Sequence, residues 1–144
     1  KRQVNTFRLL GGVADKALAM GRTDEAERIL QALLHEIRKR AEEGVPVDPD
    51  VAEHAARYAA RLGGATTKGS WVDYVFELYG LLKRPVPAPV VDELYTVVRK
   101  VKTLDLGKLR AYLAVLRGMT SKFGPAERFL MQRIEGLERL GALK

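Results

Sequence analysis

A chain of 144 residues, 47% hydrophobic and 30% charged with a net charge of +7, is long enough to bury one sizeable core. It has no cysteine, which excludes disulfides and thiolate metal sites, and no apolar run reaches the roughly 18 residues that a membrane span needs. With only two histidines, His35 and His54, this balance suits a cytoplasmic protein.

Hydrophobic spacing predicts seven helices. The first runs from about Gln3 to Met20, with Val4, Phe7, Leu10, Ala14, Ala17 and Leu18 on one stripe. Gly21 follows as a left-handed cap. Thr23 is the expected N-cap of the second helix, with Asp24 and Glu25 at the positive end of its dipole. That helix runs to about Glu43, buries Ala26, Ile29, Leu30, Leu33, Leu34, Ile37 and Ala41, and is closed by Gly44. Val45-Pro46-Val47 is extended, because proline disfavours helix in the residue before it.

The third helix has Asp48 as cap and Pro49 at its first position, and lines up Val51, Ala55, Tyr58, Ala59 and Leu62. Its alanines permit a close neighbour, and Gly63-Gly64 is expected to end it. Ser70-Trp71-Val72-Asp73 reads as a capping-box variant opening an aromatic fourth helix that runs to about Lys83. After Pro85 and Pro87, the fifth helix begins near Ala88 or Pro89 and carries Val90, Val91, Leu94, Tyr95, Val98 and Val101. Its β-branched content also fits a strand, but the spacing favours helix. The sixth starts around Asp105 and ends near Gly118. The seventh starts at Gly124-Pro125 and ends at Gly141. Short connections predict that consecutive helices pack antiparallel.

Charge is uneven along the chain. Residues 1–72 hold 12 basic and 10 acidic groups, and residues 73–144 hold 13 and 8. Between Arg99 and Lys122 lie Arg99, Lys100, Lys102, Lys108, Arg110, Arg117 and Lys122, against Asp105 alone. Such a field attracts an acidic partner or a phosphate backbone, unless it is simply a solvated face.

Little else points to chemistry. His35-Glu36 starts like a zinc-protease helix but lacks the second histidine one turn on. His54 has no obvious carboxylate or nucleophile partner in sequence. Gly11-Gly12 sits inside a helical stripe, so no phosphate loop is present. Lys68 and Gly69-Ser70 precede a helix and are a candidate phosphate or carboxylate contact, against the plainer reading of an ordinary helix start. Glu42-Glu43 and Asp92-Glu93 lie at helix ends, where dipole or solvent roles suffice. The expectation is therefore no catalytic residue, no metal and no cofactor.

The first hairpin, Gln3 to Leu34, resembles a tetratricopeptide repeat, a helix–turn–helix unit of about 34 residues. Ala14 and Ala17 fit the small positions of its first helix, Gly21 fits the turn glycine, and Ala26, Leu30 and Leu33 fit its second helix. The early tryptophan and the closing proline of the family are absent, and the second helix is long. The second pair of helices keeps only the small-residue face and the size, and the third keeps less. The chain is also similar in general layout to helical regions attached to forkhead-associated modules in large bacterial signalling proteins, a likeness that no motif carries.

The resemblance implies an all-α fold of antiparallel helical hairpins, about seven helices in a tetratricopeptide-like α-solenoid or compact right-handed superhelix. Residues 1–144 form one domain, expected to be part of a longer chain since it opens on Lys1. It implies a non-catalytic scaffold that binds a peptide or helix of a partner, with a place in a bacterial signalling or secretion assembly. In such units the first helix of each pair lines the binding surface. That offers Asn5, Arg8, Gly12, Asp15 and Lys16, then His54, Arg57, Tyr58 and Arg61, extended by Arg99 and Lys102, toward a partner of acidic character. The alternatives are nucleic-acid binding through Lys100, Lys102, Lys108 and Arg110, and a homodimer through Phe129, Leu130 and Ile134.

Overall fold

The computed structural model describes residues 2–144, with side chains from Asn5 onward, so Val4 in the first stripe lies outside the described side chains. The protein is all-helical. Seven α-helices follow one another: α1 (Arg2–Ala19), α2 (Thr23–Glu42), α3 (Pro49–Thr66), α4 (Gly69–Leu82), α5 (Ala88–Lys100), α6 (Leu106–Arg117) and α7 (Pro125–Ala142). A single 3-10 turn, Thr120–Lys122, leads into α7. Among the described residues no helix is long and apolar enough to cross a membrane.

The helices pack in two rows. One row is α1, α3, α5 and α7, and the other is α2, α4 and α6. Residue pairs give the directions. Phe7 meets His54, and Asp15 meets Arg61, so α1 and α3 run the same way. Glu27 meets Trp71 and Arg38 meets Glu77, so α2 and α4 do too. Arg110 pairs with Glu138 and Arg117 with Glu135, so α6 and α7 run oppositely. The core between the rows takes Leu30, Leu34 and Ile37 from α2, Ala52, Ala55, Ala56, Ala59 and Ala60 from α3, and most of α4. Alanine dominates α3 because helices pack against it from several sides, and a methyl group lets each come close.

Several expected boundaries shift, each for a packing reason. Gly63-Gly64 does not end α3, which continues to Thr66. A methyl at Gly63 would lie 3.2 Å from Val72 and 3.3 Å from Val97, so the glycines serve the approach of α4 and α5 rather than a turn. The left-handed residue that ends the helix is Thr67. Thr23 is inside α2, and Arg22 holds the cap position with no side-chain bond. The turn is closed by backbone instead, Arg22 N–H to the Ala17 carbonyl, over Gly21 with its φ of +75°. The Ser70/Asp73 box does not form: α4 starts at Gly69, and Asp73 faces the segment before α6. By contrast Asp48 and Asp105 each cap their helix by accepting from the N–H two residues on.

The expectation that all consecutive helices pair is not met at α5 and α6, which touch little or not at all among the described residues. Residues 101–105 are non-helical and carry the chain from one row to the other. Val101 is buried, Lys102 N–H donates to the Thr67 carbonyl, and Gly69 lies so close to the Thr103 carbonyl that any Cβ there would overlap it. The crossing delivers α6 onto α4, and α7 returns to pack on both α5 and α6. Ile134 of α7 is fully buried in that closure, so of the apolar trio expected to pair across a dimer only Phe129 is largely exposed.

Candidate functional site

The expected binding residues other than Lys102 lie on α1, α3 and α5, and four side chains of this row are bonded into a chain. Tyr58 of α3 donates its hydroxyl to Asp15 of α1 at 3.2 Å. Arg61, one turn on, donates to the same carboxylate at 3.1 Å and reaches Glu93 of α5 at 3.9 Å. Its guanidinium also lies 5.2 Å from the centre of the Tyr58 ring. Gly11 makes this geometry accessible, because a methyl there would overlap the Tyr58 hydroxyl. Burial pushes the Tyr58 hydroxyl up from its ordinary pKa, and the Asp15 charge adds to the shift. Burial likewise raises the Glu93 carboxyl, with Arg61, Arg57 and Lys100 pulling it back.

Around that chain are cations without an acid bonded to them among the described residues. Arg8 is exposed two turns before Asp15, on the same side of α1. Arg57 is half-buried and Lys100 exposed, and among the described residues neither makes a hydrogen bond or ion pair, though both act on Glu93 through charge. His54 is stacked on Phe7 at 5.8 Å.

Other predicted members lie elsewhere. Asn5, Gly12 and Lys16 are exposed along an outer stripe of α1, beside the exposed Leu9, Val13 and Met20. Arg99 shares the side of α5 that carries Asp92 and Tyr95 toward α7, and its carbonyl accepts from Lys144. Lys102 sits in the crossing segment at the end of α3. Lys100 and Glu93 were not singled out for this face, yet they are the α5 residues that reach it. Their signal is helical spacing, since Glu93, Val97 and Lys100 share the stripe against α3.

The basic stretch from Arg99 to Lys122 does not form one field. Lys108 pairs with Glu77 at 3.2 Å, Arg110 with Glu138 at 2.7 Å and Arg117 with Glu135 at 3.0 Å. The run is separated by the crossing between rows, and its acids come from α4 and α7, distant in sequence.

The opposite row, α2–α4–α6, carries two adjoining grooves that share Arg38, each of about 360 Å³. One lies toward α6 over Phe76, Leu81 and Tyr112, where Glu77 bridges Arg38 and Lys108. The other lies between α2 and the start of α4. There Glu27 accepts from the Trp71 indole at 2.7 Å and from Lys68 at 2.9 Å. Burial pushes the Glu27 carboxyl up, but the Lys68 and Trp71 hydrogen bonds outweigh it and leave the pKa lowered. His35 stacks on Trp71 at 5.8 Å, and Arg38 lies 5.4 Å from the Tyr74 ring centre. These pairs are 36 to 44 positions apart in sequence, and no spacing rule finds them.

Compared with family models, curated proteins and solved structures, the chain matches none.

Proposed function

We propose that this chain is a non-catalytic, tetratricopeptide-like interaction domain whose α1–α3–α5 face binds an acidic peptide or helix of a partner protein. The observation that carries the reading is the bonded chain Asp15–Tyr58–Arg61–Glu93 on three neighbouring helices. It fixes an aromatic ring and a guanidinium in the middle of a face whose other cations, Arg8, Arg57 and Lys100, have no acid bonded to them among the described residues. Tyrosine and arginine are the residue types that most often anchor interfaces, and holding them in place before binding lowers the entropic cost of association.

The repeat-like part of the reading is supported by order and burial. Helices pack on the next and the next but one through α4, and Ala14, Ala17, Ala26 and Leu30 are buried at the small and apolar positions of the first hairpin. The likeness weakens where α5 and α6 separate. Nucleic acid is the lesser reading, because Lys108, Arg110 and Arg117 are each engaged by a carboxylate.

Fluorescence anisotropy with a labelled Asp/Glu-rich peptide tests the proposal. Arg57→Glu and Lys100→Glu are the informative changes, since Arg61→Glu would also break two internal ion pairs. Each reversal is expected to weaken binding about tenfold at low salt. Unchanged affinity in both variants rejects the face. A DNA or RNA oligonucleotide that binds with a steep salt dependence and ignores both substitutions would assign the domain to nucleic acid.

A further inference from the structure

We propose that the groove between α2 and the start of α4 is a second binding site, for a carboxylate or phosphate oxyanion, on the row opposite the interaction face. Hydrogen-bonding groups dominate its lining. Gln31, His35, Arg38, Lys68 and Ser70 line the groove above Trp71 and Tyr74. Among the described residues the side chains of Gln31, His35 and Ser70 make no hydrogen bond, and all three residues are exposed. Arg38 uses one terminal nitrogen on Glu77, which leaves the rest of its donor fork unoccupied. Glu27 is the one acid in the lining, and its two oxygens already accept from Lys68 and from the Trp71 indole.

The groove is therefore rich in donors: Lys68 answers the Glu27 charge, while Glu77 engages Arg38 through one nitrogen only and leaves its other donors free. A cationic ligand would meet Arg38 and Lys68 and find the Glu27 oxygens engaged. An apolar ligand would strip water from these donors without replacing it, a costly exchange. An oxyanion satisfies them, and charge-assisted bonds from arginine and lysine to carboxylate or phosphate are the strong kind. The walls are also held in place before any ligand arrives. Tyr74 donates its hydroxyl to the Leu34 carbonyl, Trp71 is tied to Glu27, and His35 is stacked on the indole. A volume of about 360 Å³ admits such a group with the small moiety that bears it.

The test is a nitrogen-15 NMR titration of the whole chain with inorganic phosphate and, separately, with glutarate. Ionic strength is held constant, and sodium chloride is the control. The Trp71 indole and Ser70 amide signals are expected to shift and saturate with at least one of the two anions. Gln31→Glu puts a carboxylate into the groove from an exposed position with no bond to lose, and should weaken binding about tenfold or more. Arg38→Gln should do the same. Whichever anion binds more tightly names the group recognised. Shifts equal to those in chloride, or a titration indifferent to Gln31→Glu in a folded protein, overturn the proposal. Arg57→Glu lies on the other row and should leave this titration unchanged, so the two binding readings stand or fall separately.

Discussion

At the α1–α3 seam Tyr58 lies against Gly11, with Arg61 over its ring and Asp15 holding the arginine. At the α5–α7 seam Tyr95 lies against Gly136, with Arg133 over its ring, 5.1 Å from the centre, and Asp92 holding that arginine. The same four residue types recur at the two ends of one row. They differ in where the hydroxyl ends. Tyr58 donates to a side chain, the Asp15 carboxylate, and Tyr95 to the backbone carbonyl of Arg133. The first seam is thus held by side-chain bonds, Tyr58 and Arg61 on Asp15, with no backbone group among them. The second fastens the last helix to the rest. Recurrent residue types close the row at both ends, and only the second closure ties its tyrosine hydroxyl to the backbone.

The largest expected effects come from filling the two glycine niches. Gly11→Ala and Gly136→Ala should each cost about 1–3 kcal/mol in urea or thermal unfolding, since the added methyl overlaps a packed tyrosine. Their rescue should differ. At Gly136 the obstacle is the Tyr95 hydroxyl, with the ring carbon behind it already at 3.5 Å, so Tyr95→Phe should recover most of the loss. At Gly11 the Tyr58 ring itself is in the way, with ring carbons at 2.8 and 3.1 Å, so Tyr58→Phe should recover little and Tyr58→Leu more. Equal rescue by phenylalanine at both seams would erase the distinction. Next in size is the arginine pair. Arg61 serves carboxylates on two helices and Arg133 only one. Arg61→Met should cost about 1 kcal/mol and Arg133→Met about half that, the usual scale of partly exposed pairs, with the gap closing at high salt.

The contrast between these seams also marks how much the sequence discloses. The helices themselves are local features, and period, caps and breakers place all seven: Asp48-Pro49, Asp105 and Gly124-Pro125 mark starts that packing does not alter. Gly63-Gly64 misleads because a glycine pair at a helix end and a glycine pair under a crossing helix are written identically. Only the position of Val97 tells them apart. The α1–α3 face is partly legible, because Asp15, Tyr58 and Arg61 lie on predicted helix faces. Glu93 and Lys100 needed the direction of α5. The α2–α4 groove was legible only as Lys68 and Ser70 at a helix start, since Glu27, Gln31, His35 and Arg38 meet them only once the rows are assembled. The basic stretch was legible as composition and misleading as a surface, because Glu77, Glu135 and Glu138 come from helices before and after it.

The inner seam, α4 against α6, extends the comparison to the other row, where acids replace the tyrosine–aspartate arrangement. Asp73 has its Oδ1 buried without a hydrogen-bond partner among the described residues. Burial, followed by the Asp105 charge, pushes its carboxyl up to about 6, while the Asp105 backbone N–H and Lys108 pull the other way and Glu77 adds to the rise. A folded-state pKa above the unfolded value means that folding favours the protonated acid. The stabilisation is complete below the unfolded pKa near 3.8 and is lost as pH rises through about 6. Asp73→Asn should therefore stabilise the protein at pH 7 by about 1 kcal/mol, a figure reduced for the group's partial exposure. The gain should shrink as pH falls through about 6 and approach zero only below the unfolded pKa near 3.8, at about pH 3, where the wild-type acid is protonated in both states. A gain that is flat with pH would detach it from the Asp73 charge.

The smallest effect is expected at Gly80, the inner seam's own glycine beneath a tyrosine. A methyl there would lie 3.7 Å from a Tyr112 ring carbon, an ordinary contact, unlike the overlaps at Gly11 and Gly136. Tyr112 is fixed independently: its hydroxyl donates to the Arg84 carbonyl and accepts from the Val86 N–H, and its ring stacks on Phe76. Gly80→Ala should thus be neutral or stabilising by about 0.5 kcal/mol, the alanine gaining helix propensity in the last turn of α4. Thermal unfolding of this variant beside Gly11→Ala and Gly136→Ala decides what the glycines are for. A loss comparable to those two would mean that every tyrosine packed between like-running helices needs a bare backbone opposite it. A neutral result confines that need to the two ends of the α1–α3–α5–α7 row, where the tyrosine hydroxyl points into the neighbouring helix.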